Sequence, residues 1–426
     1  MAVVHVKYLL LGGGSAAASA AGAIRSLDPA GEIWLVSNEA SRPYHRPPLA
    51  RGYLRRELRL EDLFVHPGDF YAQHRITLRT NFRALALDTT QRAVTMSDGG
   101  EVFFQNLLIA TGATAKVPLS AEVPGANLPG AMTLRTAQDA DRIHHAADVA
   151  STPGLRNGPA RVVVIGGGLL AVEIAASLAL RKPAPSAAPL AVTLVCPTAH
   201  LLDSLAGESA ARAAARALAS LGVIVVPHAP LRALEGDGRV QRVVCAGHAP
   251  LPAEFAILAA GFSPSKDLLR NTPIAAEKAI LTDPRGQTSV AGIFAAGECA
   301  AMFDPVFQKH RVLDHWDVSL SRGLLVGANM ASPAAAPFAG ITTHRAELGP
   351  AKLAVHGEPR FAHHRLTREL PAGTGLIEFS ADQDNRLCSI TTLGPVPDEP
   401  ALLALLARRA DLTGLEDILR DPLGAL

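Results

Sequence analysis

Two glycine-rich turns are the residues of this sequence whose types and spacing most clearly indicate chemistry. In such a turn the first glycine permits a tight bend, the second lets a pyrophosphate approach the backbone, and the small third residue lets helix and strand pack closely. The pattern predicts two dinucleotide sites, although a tight strand–helix packing turn has a similar composition. The two turns are Gly12-x-Gly14-x-x-Ala17 and Gly166-x-Gly168-x-x-Ala171.

An acidic residue follows the first turn at the expected distance, but not the second. Glu39 lies 22 residues beyond Ala17, close to the spacing of about 20 residues typical of a carboxylate that binds a ribose hydroxyl. After the second turn we expect Cys196 or Pro197 to occupy the equivalent place. A carboxylate there selects the 2′-hydroxyl of NADH and a nearby arginine the 2′-phosphate of NADPH, so the sequence leaves that choice open.

The elements that must position these turns are repeated in the chain. KYLLLGGGSAAASAAGAIRSL at 7–27 is echoed by ARVVVIGGGLLAVEIAASLAL at 160–180, and another short strand follows each, at 32–37 and 191–196. Two β-turn-α-β units predict an α/β protein with two Rossmann-like, doubly wound nucleotide-binding domains. Further strands are expected at 92–97, 106–112, 255–261 and 292–297.

The pattern changes beyond Ser332. KLAVHG, GLIEFSA and RLCSITTLG are typical of antiparallel strands, and the helix PALLALLARRA follows them. This predicts a small C-terminal α+β domain. Stretches rich in proline and glycine, the candidate boundaries or loops, lie at 117–130, 153–159, 183–189 and 333–340.

Composition excludes several classes of function. Among 426 residues, 40 Lys and Arg balance 39 Asp and Glu, a net charge of +1, so no one-sign field recruits nucleic acid or an anionic membrane. Hydrophobic residues make up 48% and aromatic residues 4%, which favours ordered cores of Ala, Leu and Val over disorder.

The cysteines and the N-terminal segment favour a cytoplasmic protein. The four cysteines have no spacing typical of a metal site, a disulfide framework or a dithiol centre, so we expect no bound metal. The apolar segment 3–23 resembles a signal peptide, but Lys7 and three glycines interrupt it. The segment contains no apolar run of the length that spans a membrane, about 18 residues, so a buried strand turning into a helix explains it better. The cysteines are Cys196, Cys245, Cys299 and Cys388.

RPYHRPPLARGYL at 42–54, together with both turns, resembles the PYxRPPLSKxxL stretch of the FAD-dependent ferredoxin reductase and apoptosis-inducing-factor-like family. This family belongs to the pyridine nucleotide-disulfide oxidoreductase superfamily, here without the redox cysteine pair. The resemblance covers residues 4–330 in family order and continues through NLLIATGA, LRTAQDADRI, VVVIGGGLLAVEIAASLA, TSVAGIFAAGECA and RVLDHWDVSLSRG.

The resemblance implies an FAD domain split by an inserted NAD(P)H domain. The implied boundaries are 1–117 and 264–331 for FAD, 118–263 for NAD(P)H and 332–426 for the C-terminal domain. The implied FAD contacts are Gly12, Gly14, Ser15, Ala17, Glu39, Arg46, Arg51, Thr111, Gly112, Arg135, Glu298 and Trp316. The implied nicotinamide contacts are Gly166, Gly168, Leu169, Leu170, Glu173 and Gly261.

Departures from the family pattern fall close to the implied reaction centre. Arg51 replaces the lysine that pairs in the family with the helix glutamate, here Glu173, beside the reactive flavin edge. Glu298 replaces an aspartate, and the third domain lacks the family's tryptophan–serine pair in ITTHRAELG. Trp316 is open to a second interpretation as a core residue. We expect the arginines of 51–59 to form a solvated helix face, and docking of an acidic carrier protein is the alternative that the sequence leaves open.

The resemblance implies an oxidoreductase that accepts hydride from NADH or NADPH on FAD and passes electrons to a small iron–sulfur carrier of ferredoxin or rubredoxin type. Arg51 and Glu173 are the implied catalytic residues. The alternative is an FAD- and NAD(P)H-binding regulator or assembly factor with low turnover. We expect neither nucleic-acid nor membrane partners, and a monomer or homodimer.

Overall fold

The computed structural model describes residues 4–152, 158–182, 188–312, 316–332, 340–396 and 398–422. They cluster into two compact units. Unit 1 comprises Met1–Arg46, Leu60–Thr114 and Ser263–Gly340, and unit 2 comprises Pro47–Arg59, Ala115–Phe262 and Ile341–Leu426. The three-domain division stays a prediction, and the predicted boundary stretches at 153–159, 183–189 and 333–340 fall largely outside the described residues.

The strands of the described residues are mostly short. In chain order they are β1 (Val4–Leu11), β2 (Ile33–Val36), β3 (Ile76–Arg79), β4 (Ala84–Asp88), β5 (Ala93–Met96), β6 (Glu101–Ile109), β7 (Ala113–Ala115), β8 (Ala131–Met132), β9 (Ala160–Ile165), β10 (Leu190–Val195), β11 (Ile224–Val226), β12 (Leu231–Glu235), β13 (Arg242–Cys245), β14 (Leu251–Pro252), β15 (Phe255–Leu258), β16 (Phe262–Pro264), β17 (Ile280–Thr282), β18 (Ile293–Ala295), β19 (Ala300–Asp304), β20 (Lys309–Val312), β21 (Thr343–Leu348), β22 (Ala351–Gly357), β23 (His364–Glu369), β24 (Leu376–Ala381) and β25 (Leu387–Leu393).

The α-helices of the described residues include the two that follow the glycine turns. In chain order they are α1 (Ser15–Leu27), α2 (Phe70–Gln73), α3 (Ala137–Ala150), α4 (Leu169–Leu180), α5 (Glu208–Ser220), α6 (Trp316–Ala331), α7 (Glu399–Ala407) and α8 (Glu416–Arg420). None of these described helices is long and apolar enough to cross a lipid bilayer.

Unit 1 is built on a seven-stranded sheet in the order β3-β2-β1-β6-β5-β4, with β18 also pairing with β6. The contacts of β1, β2, β3, β6 and β18 are parallel, and β4 and β5 add an antiparallel edge. Side chains alternate across β1, so Leu10 packs in one core with α1 and α6 whereas Leu9 and Leu11 pack in the core of the opposite face.

Small residues let α1 and α6 approach closely. A Cβ at Gly323 would lie 2.3 Å from the carbonyl oxygen of Ala16, and one at Gly327 would lie 2.5 Å from that of Ala20. Because the glycines are four residues apart, they lie on the same face of α6. The two helices therefore pack backbone against backbone over the core face of the sheet.

Unit 2 contains the second parallel sheet, in the order β11-β10-β9-β15-β8, and a three-stranded antiparallel sheet β12-β13-β14. Its third sheet is antiparallel, β21-β22-β25-β24-β23, and one face is covered by apolar residues of α7 and α8. Glu378 on β24 accepts a 2.6 Å hydrogen bond from the backbone N–H of Gly207 where α5 begins. This bond joins the third sheet to the helices of the second glycine-turn unit.

Most of the elements expected from the sequence are present, but one expectation is wrong. Residues 51–59 form turns after a short 3-10 helix at Pro47–Ala50, not a solvated helix face. The side chains of Arg51 and Arg55 are only 15% and 14% exposed because both point to acidic partners within unit 2. The closest partner of Arg55 is its neighbour Glu57, at 2.8 Å, but the sequence pattern could not reveal Glu173 and Glu347, which are far away along the chain.

Candidate functional site

The first glycine turn is closed on one side and open on the other. Gly12 follows β1 with φ at +141°, and a Cβ there would lie 2.0 Å from the carbonyl oxygen of Ala110. A Cβ at Gly14 would meet nothing within 4 Å. Gly14 also begins α1 without a side-chain cap, and no acidic residue lies in the first turn. The turn thus presents backbone N–H groups to open space, as an anion site requires.

An acid–tyrosine–arginine cluster lies after β2. The Tyr44 hydroxyl donates a 2.5 Å hydrogen bond to Oε2 of Glu39, and Nη2 of Arg46 donates a 2.6 Å bond to Oε1. The neighbouring His45 places Nδ1 3.5 Å from Oγ of Ser15, the first residue of α1. The structure therefore brings the predicted residues Glu39, Arg46 and Ser15 together in unit 1, with Tyr44 and His45 as partners that the sequence analysis did not single out.

A second group of predicted residues lies at the ends of β6 and β18. Thr111 and Gly112 follow β6, and Glu298 lies in a short 3-10 turn, Gly297–Cys299. A Cβ at Gly297 would lie 3.3 Å from the Cβ of Ala16, so this turn lies against the start of α1. Burial lowers the pKa of Arg46, but the charges of Tyr44 and Glu39, the hydrogen bond to Glu39 and the charge of Glu298 raise it above its ordinary value.

The open turn and the surrounding groups of unit 1 fit an adenine dinucleotide. The free N–H groups suit a pyrophosphate, and the Glu39 carboxylate suits a ribose diol. A carboxylate offers about four acceptor positions, so the bonds from Tyr44 and Arg46 leave room for hydroxyl donors. Ala17 is fully buried against the sheet, consistent with a small residue at the third position of the turn.

The structure does not place two further residues of the predicted FAD set, Trp316 and Arg135, among the groups of unit 1 described above. Trp316 begins α6, but its side chain lies outside the described part of the chain, so its flavin contact stays a prediction. Arg135 belongs to unit 2, where its guanidinium lies 4.8 Å from the centre of the Phe262 ring.

The second glycine turn repeats the geometry of the first. Gly166 has φ at +145°, and a Cβ there would lie 2.5 Å from the carbonyl oxygen of Ala259, whereas a Cβ at Gly168 would meet nothing within 4 Å. Leu169 and Leu170 start α4 partly exposed, beside this opening. Gly261 follows β15, and its carbonyl oxygen accepts a 2.9 Å bond from the N–H of Lys116. This arrangement fits a second dinucleotide, in unit 2.

A nearly buried ion pair joins Arg51 to Glu173, which lies on α4 one turn beyond the glycines. Nε of Arg51 donates a 2.6 Å hydrogen bond to Oε1 of Glu173, and the side chains are 15% and 7% exposed. The backbone N–H of Glu347 donates a 2.9 Å bond to the same carboxylate oxygen. Burial raises the pKa of Glu173 to about 7, although the Arg51 charge and the Glu347 N–H oppose that shift.

The contacts of Arg51 explain an arginine at this position. Besides its bond to Glu173, Nη2 donates a 2.9 Å hydrogen bond to the carbonyl oxygen of Arg345, and Nη1 lies 3.8 Å from Oε1 of Glu347. Three nitrogens of one planar guanidinium thus reach three acceptors, which the single ammonium of lysine does less well. Glu347 and Arg345, both on β21, are site residues that the sequence analysis missed.

The cysteines supply no redox centre of their own. All four lie in the described residues, are free and are buried. Cys299 donates to the carbonyl oxygens of Ile109 and Ala296, and burial raises the pKa of its thiol. Within the described ranges, no group of three or more His, Cys, Asp or Glu residues is arranged to hold a metal ion.

Comparisons with known proteins agree with this architecture. Residues 6–323 match the profile of the pyridine nucleotide-disulphide oxidoreductases. The chain is 31% identical over 302 residues to the ferredoxin–NAD(P)(+) reductase fdr of Sphingomonas sp, covering 71% of this chain and 68% of that protein. It is 27% identical to the biphenyl dioxygenase system ferredoxin–NAD(+) reductase component of Paraburkholderia xenovorans, covering 82% and 83% of the two chains.

Solved structures share the fold over nearly the whole chain. A ferredoxin reductase for the CYP199A2 system from Rhodopseudomonas palustris superimposes with a TM-score of 0.86 at 21% identity, covering 97% of each chain. A putidaredoxin reductase, solved as its covalent complex with putidaredoxin, gives 0.85 at 22% identity, with 95% and 94% covered. The predicted α/β fold class is confirmed.

The matched profile spans both glycine turns, the Arg51 segment and the Glu298 turn. The predicted family, its class as an oxidoreductase, and its use of FAD and NAD(P)H are thereby confirmed. This chain belongs to the pyridine nucleotide-disulphide oxidoreductase family.

Proposed function

We propose that this protein transfers hydride from NAD(P)H to FAD and passes the electrons to a small iron–sulfur carrier of ferredoxin or rubredoxin type. The observation that carries the proposal is the occurrence of two open glycine turns of the same geometry, one in each unit. The names of the Sphingomonas and Paraburkholderia relatives support ferredoxin as the kind of carrier.

The residues of the predicted FAD set would hold FAD. The backbone at the first turn would bind the pyrophosphate, Arg46 would supply a positive charge to it, and Glu39 would accept hydrogen bonds from the adenosine ribose. Glu298 would bind the ribityl chain. The proposed set is Gly12, Gly14, Ser15, Ala17, Glu39, Arg46, Arg51, Thr111, Gly112, Arg135, Glu298 and Trp316.

The nicotinamide dinucleotide would bind at the second turn. Its pyrophosphate would meet the N–H groups at the start of α4, where Gly168 leaves space for it. The proposed set is Gly166, Gly168, Leu169, Leu170, Glu173 and Gly261.

FAD, when bound, supplies the hydride acceptance and the stepwise electron release, so no protein side chain has to bond covalently to the substrate. Arg51 and Glu173 would set the charge near the reacting rings. Glu173 exchanges a proton near neutral pH because burial raises its pKa to about 7. The net charge of the pair thus depends on pH in the physiological range.

The absence of a cysteine pair favours an external electron acceptor. The four cysteines are buried and unpaired with one another, so a dithiol within the chain cannot take the electrons. A small one-electron carrier meets this requirement. A cytoplasmic location, and a monomeric or homodimeric state, are part of this proposal.

Steady-state and anaerobic measurements on the FAD-loaded protein test the proposal. We expect NADH or NADPH to bleach the visible flavin band rapidly, and a ferredoxin or rubredoxin to be reduced in repeated turnovers. Slow bleaching, with no turnover on any iron–sulfur carrier offered, would contradict electron transfer and favour the low-turnover regulator.

A further inference from the structure

The loops after the two glycine turns have the same backbone hydrogen bonds, which gives a residue-by-residue correspondence. In the first unit Gly12 N–H bonds to Val36 O at 2.8 Å, and in the second Gly166 N–H bonds to Val195 O at 2.9 Å. The bond from Ser37 N–H to Arg79 O, 2.8 Å, corresponds to the bond from Cys196 N–H to Val226 O, also 2.8 Å.

The correspondence continues beyond the strands. Ser37 O accepts from Phe82 N–H at 2.9 Å, and Cys196 O accepts from Ala229 N–H at 2.8 Å. Both side chains also pack on the middle glycine of their turns: Cβ atoms at Gly13 and Gly167 would lie 2.0 Å from Ser37 Oγ and 2.6 Å from Cys196 Sγ. Cys196 is therefore the counterpart of Ser37.

Thr198 is the counterpart of Glu39. Glu39 O accepts a 3.0 Å bond from Asn81 N–H, and Thr198 O accepts a 3.0 Å bond from His228 N–H. Asn81 and His228 both have φ at +52°. The expectation that Cys196 or Pro197 takes the place of the ribose-binding acid is thus corrected: that place belongs to Thr198.

A neutral residue at this place changes which nucleotide the site tolerates. A carboxylate there binds the 2′-hydroxyl of NADH and repels the 2′-phosphate of NADPH. Discrimination of this kind depends on the repulsive group, and Thr198 does not supply one. Thr198 is exposed, its hydroxyl donates a 2.8 Å bond to His200 O, and the adjacent His228 is exposed and carries an imidazole that can donate to phosphate.

We propose that Thr198 is the specificity-determining residue of the nicotinamide site, and that the protein uses NADPH as well as NADH. This inference rests on the proposed function, because it places the nicotinamide dinucleotide at the second turn. The first carboxylate after β10 is Asp203, which follows Leu202, whose N–H bonds to Gly167 O at 2.7 Å. Asp203 is therefore the competing candidate for ribose recognition.

Binding of adenosine fragments to the FAD-loaded protein tests the inference without turnover. Calorimetric titrations at fixed ionic strength compare 5′-AMP with 2′,5′-ADP for the wild type, Thr198→Glu, Thr198→Gln and Asp203→Asn. We expect the wild type to bind the two fragments within about tenfold of each other, and Thr198→Glu to weaken 2′,5′-ADP by about 100-fold, the scale of close like-charge repulsion. Thr198→Gln, of the same size but neutral, should leave the ratio near that of the wild type.

The outcomes separate this inference from the proposed function. A wild type that binds 5′-AMP at least about 100-fold tighter than 2′,5′-ADP would overturn the inference. So would an unchanged ratio in Thr198→Glu, or a ratio that shifts in Asp203→Asn instead. Binding of neither fragment would overturn the proposed nicotinamide site, and this inference with it, while retention of flavin and an unchanged melting temperature confirm that each variant is folded.

Discussion

Glu173 Oε1 accepts two hydrogen bonds, 2.6 Å from Nε of Arg51 and 2.9 Å from the backbone N–H of Glu347. One carboxylate oxygen thereby joins α4, the proline-rich segment after Arg46 and the first strand of the C-terminal sheet. The ion pair proposed to set the charge of the reaction centre thus also holds three segments of unit 2 together.

Removing one partner of this pair should destabilise the protein strongly. Glu173→Ala leaves the nearly buried Arg51 without its closest counter-charge, and we expect a loss of about 3 kcal/mol in the free energy of unfolding of unit 2. The double variant Arg51→Met/Glu173→Leu removes both charges and should recover most of that loss. Denaturation curves of Arg51→Met, Glu173→Leu and the double variant measure the coupling, and strictly additive losses would contradict a buried pair.

Glu347→Ala should have a much smaller effect. It keeps the backbone N–H that binds Glu173 and removes only a carboxylate that is 33% exposed and lies 3.8 Å from Arg51 and 3.5 Å from Arg55. Ion pairs of that exposure contribute less than about 1 kcal/mol. The same denaturation assay checks this, and a loss as large as that of Glu173→Ala would show that Glu347, not Glu173, is the principal partner of Arg51.

The stability of the protein should fall with rising pH because of Glu173. Burial raises the pKa of Glu173 from its ordinary value of 4.5 to about 7, so the folded chain binds more protons than the unfolded chain between these values. The contribution of Glu173 to the free energy of unfolding is fully present below pH 4.5 and is lost as the pH rises through 7. The loss is on the order of 3 kcal/mol.

The variant Glu173→Gln isolates that contribution. Subtracting its free energy of unfolding from that of the wild type at each pH should give a difference that slopes between pH 4.5 and 7 and is flat above. The pH profile of flavin reduction by NAD(P)H should lose an inflection near 7 in the same variant. A difference that does not change with pH would mean that folding does not raise the pKa of Glu173.

Matched glycine substitutions in the two turns should affect FAD binding and reduction by NAD(P)H separately. Gly14→Val places a side chain in open space at a residue with φ at −102°, so the chain should fold normally but lose FAD. Gly168→Val, with φ at −87°, should keep FAD and lose reduction by NAD(P)H. Flavin absorbance after gel filtration, followed by anaerobic mixing with the nucleotide, measures both effects.

Gly12→Val is the contrasting control for that pair. Its Cβ would lie 2.0 Å from Ala110 O, and its φ of +141° disfavours any side chain. We expect this variant to lose both FAD and stability, seen as a lower melting temperature. A Gly14→Val protein that remains yellow would remove the first turn from the FAD site.

Local patterns predicted the two glycine-turn units well because hydrophobic runs, glycine spacing and Ala-rich helices lie within short stretches of sequence. They failed where the deciding contact is distant. Glu347 is 174 residues from Glu173, and nothing near either residue indicates their bond. The helix expected at 51–59 is wrong for a related reason, since Arg51 binds the distant Glu173, whereas Arg55 has the distant Glu347 at 3.5 Å as well as its neighbour Glu57 at 2.8 Å.

The place equivalent to Glu39 in the second glycine-turn unit was mispredicted for a different reason. Residue counting relates Glu39 to Ala17, but the second unit has a different number of residues between its helix and its next strand. Counting 22 residues from Ala171 gives Thr193, five residues before Thr198, and the expected place directly after the strand, Cys196 or Pro197, is one or two residues before it. The backbone hydrogen bonds give the correct correspondence because they are independent of loop length.

Anaerobic titration of the FAD-loaded protein with NADPH, followed by absorbance, tests most directly whether one chain binds both dinucleotides with their rings in reach of each other. We predict that a stoichiometric amount of NADPH bleaches the flavin band completely, and that the Gly168→Val protein stays oxidised. A protein that retains FAD yet is not reduced by NADPH or NADH, or that cannot be loaded with FAD at all, would contradict the account.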